Sequence, residues 1–112
     1  MVEIFILPKL VKQIQKNFKK ESTKIFDLFE NLKENPKKGK VLGNVGNIII
    51  KELKYKSYRF YFLIQGNKLK ILSNDELKNI LIKFVRMSDK KSQQKTINEI
   101  KKILIKIGSS GF

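Results

Sequence analysis

Only two of the 25 basic residues are arginines. Arg59 sits in Tyr58-Arg59-Phe60-Tyr61-Phe62 and Arg86 in Ile82-Lys83-Phe84-Val85-Arg86-Met87. A guanidinium grips a phosphate through two parallel hydrogen bonds, which an ammonium cannot do. Lysine, isoleucine and asparagine are abundant throughout, so an arginine at a given position carries more information than a lysine. Just upstream, Glu52 and Lys54 are two residues apart and would share one face of a strand. Pairing of that strand with the next could bring Glu52 and Lys54 beside Arg59. The plainer reading of Glu52 and Arg59 is a cross-strand ion pair worth a fraction of a kcal/mol.

The composition removes other chemistries. With no histidine and no cysteine, a zinc site built on those ligands and a Ser-His or Cys-His nucleophile pair are impossible, and disulfides are excluded. No metal or cofactor is expected. A general base must then be Glu52 or a lysine made less basic by its cationic neighbours, unless clustered cations on the phosphate do most of the work. The formal charge of +15 on 112 residues attracts polyanions and predicts binding that weakens steeply in salt. RNA, DNA, an acidic protein and an anionic membrane surface all remain open at this point, as does a merely solvated basic surface. No apolar run approaches the roughly 20 residues needed to span a bilayer, and the N-terminal residues lack the pattern of a signal peptide. A cytoplasmic protein is the expectation.

Hydrophobic periodicity supplies the elements that must carry these residues. Residues 1–112 fit one domain with a core of its own. Val2 to Leu7 reads as a short strand. From Pro8, Leu10, Val11, Ile14 and Phe18 recur at helical spacing. A second helix carries Ile25, Leu28, Phe29 and Leu32, with Ser22 or Thr23 as cap and Asn35-Pro36 as stop. Residues 37–47, with Gly39, Gly43 and Gly46, read as a loop. Strands follow at Ile48 to Tyr55, Tyr58 to Gln65 and, after the Gly66-Asn67 turn, Lys68 to Ser73. The run Ile80 to Val85 is apolar on both parities and reads as a further strand covered on both faces. Ser92 or Thr96 opens a final helix with Ile97, Ile100, Leu104 and Ile107 on one face, ended by Gly108. The expected fold is α+β: an N-terminal strand, an antiparallel helical hairpin, a three- to four-stranded antiparallel sheet and a C-terminal helix. Within Tyr58 to Ile64, Tyr58, Phe60, Phe62 and Ile64 make a core face. Arg59, Tyr61 and Leu63 point the other way, onto a face that can stay open. Tyr61 there is either a packing residue or a platform for an unpaired base.

These pieces, in this order, resemble the RelE/ParE toxin superfamily. The matching segments are Asn35-Pro36, Gly39-Lys40-Val41-Leu42, Lys51-Glu52-Leu53-Lys54, Tyr58-Arg59-Phe60-Tyr61-Phe62, Phe84-Val85-Arg86 and Lys90-Lys91-Ser92. They cover nearly the whole chain. The resemblance implies the toxin of a type II toxin-antitoxin system: a ribosome-dependent mRNA endoribonuclease that arrests translation, held inactive by an acidic antitoxin. In such enzymes the RNA 2′-hydroxyl attacks the neighbouring phosphate. By motif, Arg59 corresponds to a transition-state stabiliser, Arg86 to the basic residue closing the last strand, and Lys54 to the basic residue after the leucine. Arg59 and Arg86 would clamp the scissile phosphate, with Lys54 and Lys91 assisting and Glu52 as base. Lys40, Lys51, Lys83 and Lys90 would contact the RNA, and Tyr61 would stack on a base.

Two departures from the family pattern bear on activity. Glu52 stands where the RelE branch has a lysine, and the family's C-terminal catalytic tyrosine has no counterpart around Gln93, Gln94 and Lys95. Both favour the alternative of a ParE-like toxin that inhibits DNA gyrase, while the Gly-rich loop and the uniform lysine coat fit a non-catalytic basic nucleic-acid-binding protein of the same fold.

Overall fold

Two apolar stripes facing one sheet from opposite sides determine this architecture. The computed structural model describes residues 2–108. The described elements are β1 (Glu3–Ile6), α1 (Pro8–Phe18), α2 (Ser22–Glu30), β2 (Lys40–Val45), β3 (Ile48–Tyr55), β4 (Tyr58–Gln65), β5 (Lys68–Leu72), α3 (Asn74–Met87) and α4 (Lys90–Lys106). The strands form one sheet in the order β1-β5-β4-β3-β2. β1 lies parallel to β5 and every other pairing is antiparallel. The α+β class therefore stands. The sheet, however, has five strands and is mixed, where three or four antiparallel strands were expected.

Strand alternation assigns each face. Leu53, Phe60, Phe62, Leu69 and Ile71 pack under α1 and α2 with Leu10, Ile14, Ile25 and Phe29. Leu42, Ile50, Tyr61, Leu63 and Leu72 pack under α3 and α4 with Leu77, Leu81, Ile100 and Ile103. Helices thus cover both faces, which explains why the central strands β3 and β4 carry long apolar stretches. A residue such as Phe29, with no exposed surface at the centre of one layer, would cost about 3–5 kcal/mol if cut to alanine.

α1 and α2 form the expected pair, with Pro8 in the first turn of α1. Ser22 does not cap α2: it is the first residue of that helix, and its hydroxyl donates to the Lys19 carbonyl at 2.6 Å. At the turn between β3 and β4, Lys56 adopts a left-handed conformation (φ 54°) and its ammonium bonds the Glu21 carboxylate. That contact is the first cause of the lowered pKa of Glu21.

Two segments differ from the sequence reading in ways that matter for function. Residues 40–45, expected in a loop, form the edge strand β2. Gly43 permits this because α4 crosses β2 there, and a Cβ on it would stand 2.9 Å from Ile103. The run Ile80 to Val85, expected as a strand, lies inside helix α3. As a helix it places Leu77, Ile80, Leu81, Phe84 and Val85 toward the core and leaves Ile82 41% exposed. Its start is a capping box: the Glu76 N–H donates to Ser73 Oγ at 3.2 Å, and the Ser73 N–H donates to Glu76 Oε1 at 3.0 Å. α4 begins at Lys90, earlier than Ser92 or Thr96, because Asp89 accepts the Ser92 N–H at 2.9 Å and caps it. Beyond α4, Gly108 takes the left-handed conformation (φ 77°). Residues 109–112 lie outside the described residues.

Candidate phosphate-binding corner

The β3–β4 register builds the site. Lys54 lies directly opposite Arg59, and Glu52 directly opposite Tyr61. On the other side of β3, Lys40 of β2 lies directly opposite Glu52. Partners in a ladder point to the same face, so Lys40, Glu52, Lys54, Arg59 and Tyr61 all stand on the face that carries α3 and α4. Those helices cover Tyr61 and Leu63 but leave the Arg59 end uncovered. Lys40, Lys54 and Arg59 are exposed there.

Glu52 is the carboxylate of this corner. Only 6% of its surface is exposed, and Arg59 Nη1 stands 3.8 Å from its Oε2. That separation gives an electrostatic contact and is too long for a hydrogen bond. Arg59 itself is 45% exposed, so its fork is free to turn toward an anion. The corner combines three cations with one nearly buried carboxylate. Such a group can hold a phosphate between Lys54 and Arg59 while Glu52 accepts a proton from a neighbouring hydroxyl.

Tyr61 occupies the floor of this corner. It is 2% exposed, and its hydroxyl accepts a hydrogen bond from Asn74 Nδ2 at 3.3 Å. The expectation of an open face around it is overturned because α3 crosses there. A side chain so covered packs; it does not stack on a base in this conformation. Asn74, which no sequence pattern singled out, joins the site's surroundings as the first residue of α3. The Ser73/Glu76 box that places it was available in the sequence as the signal.

Lys51 points to the opposite face. It is 7% exposed, and its Nζ donates to the carbonyls of Pro36 and Lys38, both at 3.2 Å, beside the Phe62 ring. Burial pushes its pKa below the ordinary lysine value. In this position it contacts backbone, and no surface is available there for RNA.

The expected clamp of two arginines is not assembled. α3 starts beside Tyr61, at the Arg59 end of the sheet, and spans 14 residues. At 1.5 Å per residue that places its last turn about 20 Å away. Arg86 is in that last turn, and Phe84 lines a groove with Ile48, Leu63 and Gln65 at the far end of the strands. Lys90 and Lys91 open α4 beside the end of α3, where Gln93 Nε2 donates to the Val85 carbonyl at 3.3 Å. Lys83 lies along α3 near Leu7, Leu72 and Asn79. The structure therefore gathers Lys40, Glu52, Lys54 and Arg59, and leaves Lys83, Arg86, Lys90 and Lys91 apart from them.

A groove of about 990 Å³ lies between α3 and the β1–β5 edge, lined by Phe5, Leu63, Lys68, Lys70, Ile80 and Phe84. It lies away from the Arg59 corner. Among the described residues no helix is long and apolar enough to cross a membrane. No protein-family model matches the chain, and neither the curated proteins nor the solved structures provide a match.

Proposed function

We propose that this chain is a RelE/ParE-type toxin that cleaves mRNA on the ribosome, with the Lys54–Arg59 corner as its active site and an acidic antitoxin as its partner. The observation that carries the reading is the direct opposition of Lys54 and Arg59 beside the nearly buried Glu52. Two like charges facing each other across a ladder destabilise it unless an anion comes between them. A phosphate is such an anion, and the net charge of +15 draws polyanions to the surface.

The proposed chemistry uses these positions. Arg59 and Lys54 take the non-bridging oxygens of the scissile phosphate. In doing so Arg59 turns from Glu52 and uncovers its carboxylate. Glu52 accepts the proton of the 2′-hydroxyl as that oxygen attacks phosphorus. The P–O5′ bond breaks, the departing oxygen takes a proton from water or from the newly protonated Glu52, and a 2′,3′-cyclic phosphate and a 5′-hydroxyl end result. The charge that develops on the phosphate is met by Arg59, Lys54 and Lys40.

A second reading is binding of RNA without cleavage. Its support is the position of Arg86, Lys90 and Lys91, about 20 Å of helix from Arg59, which spreads the cations over a surface. One experiment separates the two. Primer extension on an mRNA undergoing translation should show new 5′ ends at ribosome-occupied codons with the wild type and none with Arg59→Ala. Binding without new ends would establish the second reading. Cleavage by Arg59→Ala within about threefold of wild type would sink the active-site assignment, because a lost electrostatic contact to the transition state costs on the order of 100-fold.

A further inference from the structure

Lys51 is a cation that the proposed chemistry does not use. It lies on the α1/α2 side of β3, where its neighbours are the Phe62 ring and two backbone carbonyls, with its Nζ 6.0 Å from the ring centroid. An ammonium buried without a carboxylate partner is costly unless its donors are engaged. Both of its carbonyl partners belong to the turn that leads into β2, Pro36 and Lys38. The same turn is seated by Gly39. At φ 93° a Cβ on it would stand 2.9 Å from the Glu52 carbonyl and 3.0 Å from the Phe62 ring, so the chain approaches as closely as glycine allows. The next residue is Lys40, which pairs with Glu52.

We propose that Lys51 is a positioning residue whose ammonium ties the Pro36–Gly39 turn to β3 on one face of the sheet and thereby holds Lys40 beside Glu52 on the other. The physical basis is alternation. Lys51 and Glu52 are consecutive on a strand, so one reaches the turn beneath the edge while the other faces the corner above it. β2 is an edge strand with a register shift between Val41 and Gly43. Its first residues have a partner on one side only, so an anchor outside the ladder decides where Lys40 sits. The tether is argued from geometry alone; its consequence for RNA rests on the function proposed above.

The test uses the full chain and three readouts. Amide hydrogen exchange should be about tenfold faster over residues 37–42 in Lys51→Met, with the α1 and α2 core amides unchanged, since charged hydrogen bonds of this kind are worth that much. Affinity for a short fluorescein-labelled 2′-O-methyl oligouridine should fall by a similar factor, and the fall should vanish in a Lys40→Ala background. Lys51→Arg, which keeps donors at that depth, should recover most of it. Unchanged exchange over residues 37–42 overturns the proposal, as does a Lys51→Met effect that simply adds to that of Lys40→Ala. If Lys51→Met does not fold, the wild type decides through the ¹⁵N spectrum of its lysine ammonium groups. Lys51 protons that exchange more slowly than those of surface lysines support the tether, and equally fast ones overturn it. Should the wild type neither bind nor cleave RNA, the proposed function fails, while the exchange pattern still decides for or against the tether.

Discussion

Lys54 and Arg59 face each other directly across the β3–β4 ladder, with Glu52 as the carboxylate beside them, 3.8 Å from Arg59. Like charges directly opposite each other on a ladder repel, an effect that Glu52 partly offsets at Arg59, and the pair is suited to a further anion. Replacing Lys54 by glutamine should therefore stabilise the fold by a few tenths of a kcal/mol in low salt, while weakening RNA binding. Paired urea titrations and oligonucleotide affinities measure both. Loss of stability together with unchanged affinity would remove the corner as a phosphate site.

Glu52→Gln keeps the size of the side chain and removes the base. Cleavage should fall by about 100-fold or more, with RNA affinity equal to or better than wild type because a negative charge has left the site. If Glu52 is only half of an ion pair, cleavage will persist and Arg59 will simply become more mobile. Single-turnover rates at saturating RNA separate these outcomes.

Arg59 and Arg86 should differ in kind. Arg86→Ala, at the far end of α3, should leave the rate at saturating RNA unchanged. If it contacts phosphate it should lower affinity and reduce the slope of log affinity against log salt by about one. Arg59→Ala should lower the rate by about 100-fold. A matching loss of rate in both variants would mean that the RNA brings the two arginines together.

Two substitutions test the supports of the corner. Ser73→Ala removes a partner from the capping box that starts α3 and should cost about 1 kcal/mol. Gly43→Val pushes a side chain into Ile103 of α4 and should cost about 1–3 kcal/mol. Chemical denaturation measures each. A neutral Gly43→Val would show that α4 does not press on β2.

Stability should also depend on alkaline pH through Lys51. Burial holds its folded pKa below the ordinary 10.5. Between the lowered value and 10.5 the unfolded chain binds more protons than the folded one, so stability rises with pH across that window. Lys51→Met lacks this contribution. The wild type should therefore gain stability relative to the variant as pH climbs toward 10.5, in urea titrations of both proteins. An opposite slope would mean that the ammonium is better solvated in the fold than burial allows.

Much of this protein was legible in the order of its residues. Alternation in Ile48 to Tyr55 and Tyr58 to Gln65, with a short turn between them, set two strands whose register brings Lys54 to Arg59 and Glu52 close by. Helical spacing from Pro8 and from Ile25 set α1 and α2. These are local patterns, decided by periodicity and turn chemistry within a few residues. Tertiary structure decided the rest. An apolar run such as Ile80 to Val85 satisfies a doubly covered strand and a helix equally well, and the capping box at Ser73 together with packing over Leu63 and Tyr61 made it helical. That choice carried Arg86 to the far end of α3 and buried Tyr61. Parity showed that Arg59 and Tyr61 share a face, but only the crossing of α3 determined that Tyr61 is covered and Arg59 is open. In the same way Lys51 reads as one basic residue among many, and becomes a buried tether because the turn at Pro36 folds back over it. Side-chain direction is a property of one strand, whereas burial depends on what a distant segment places on top of it.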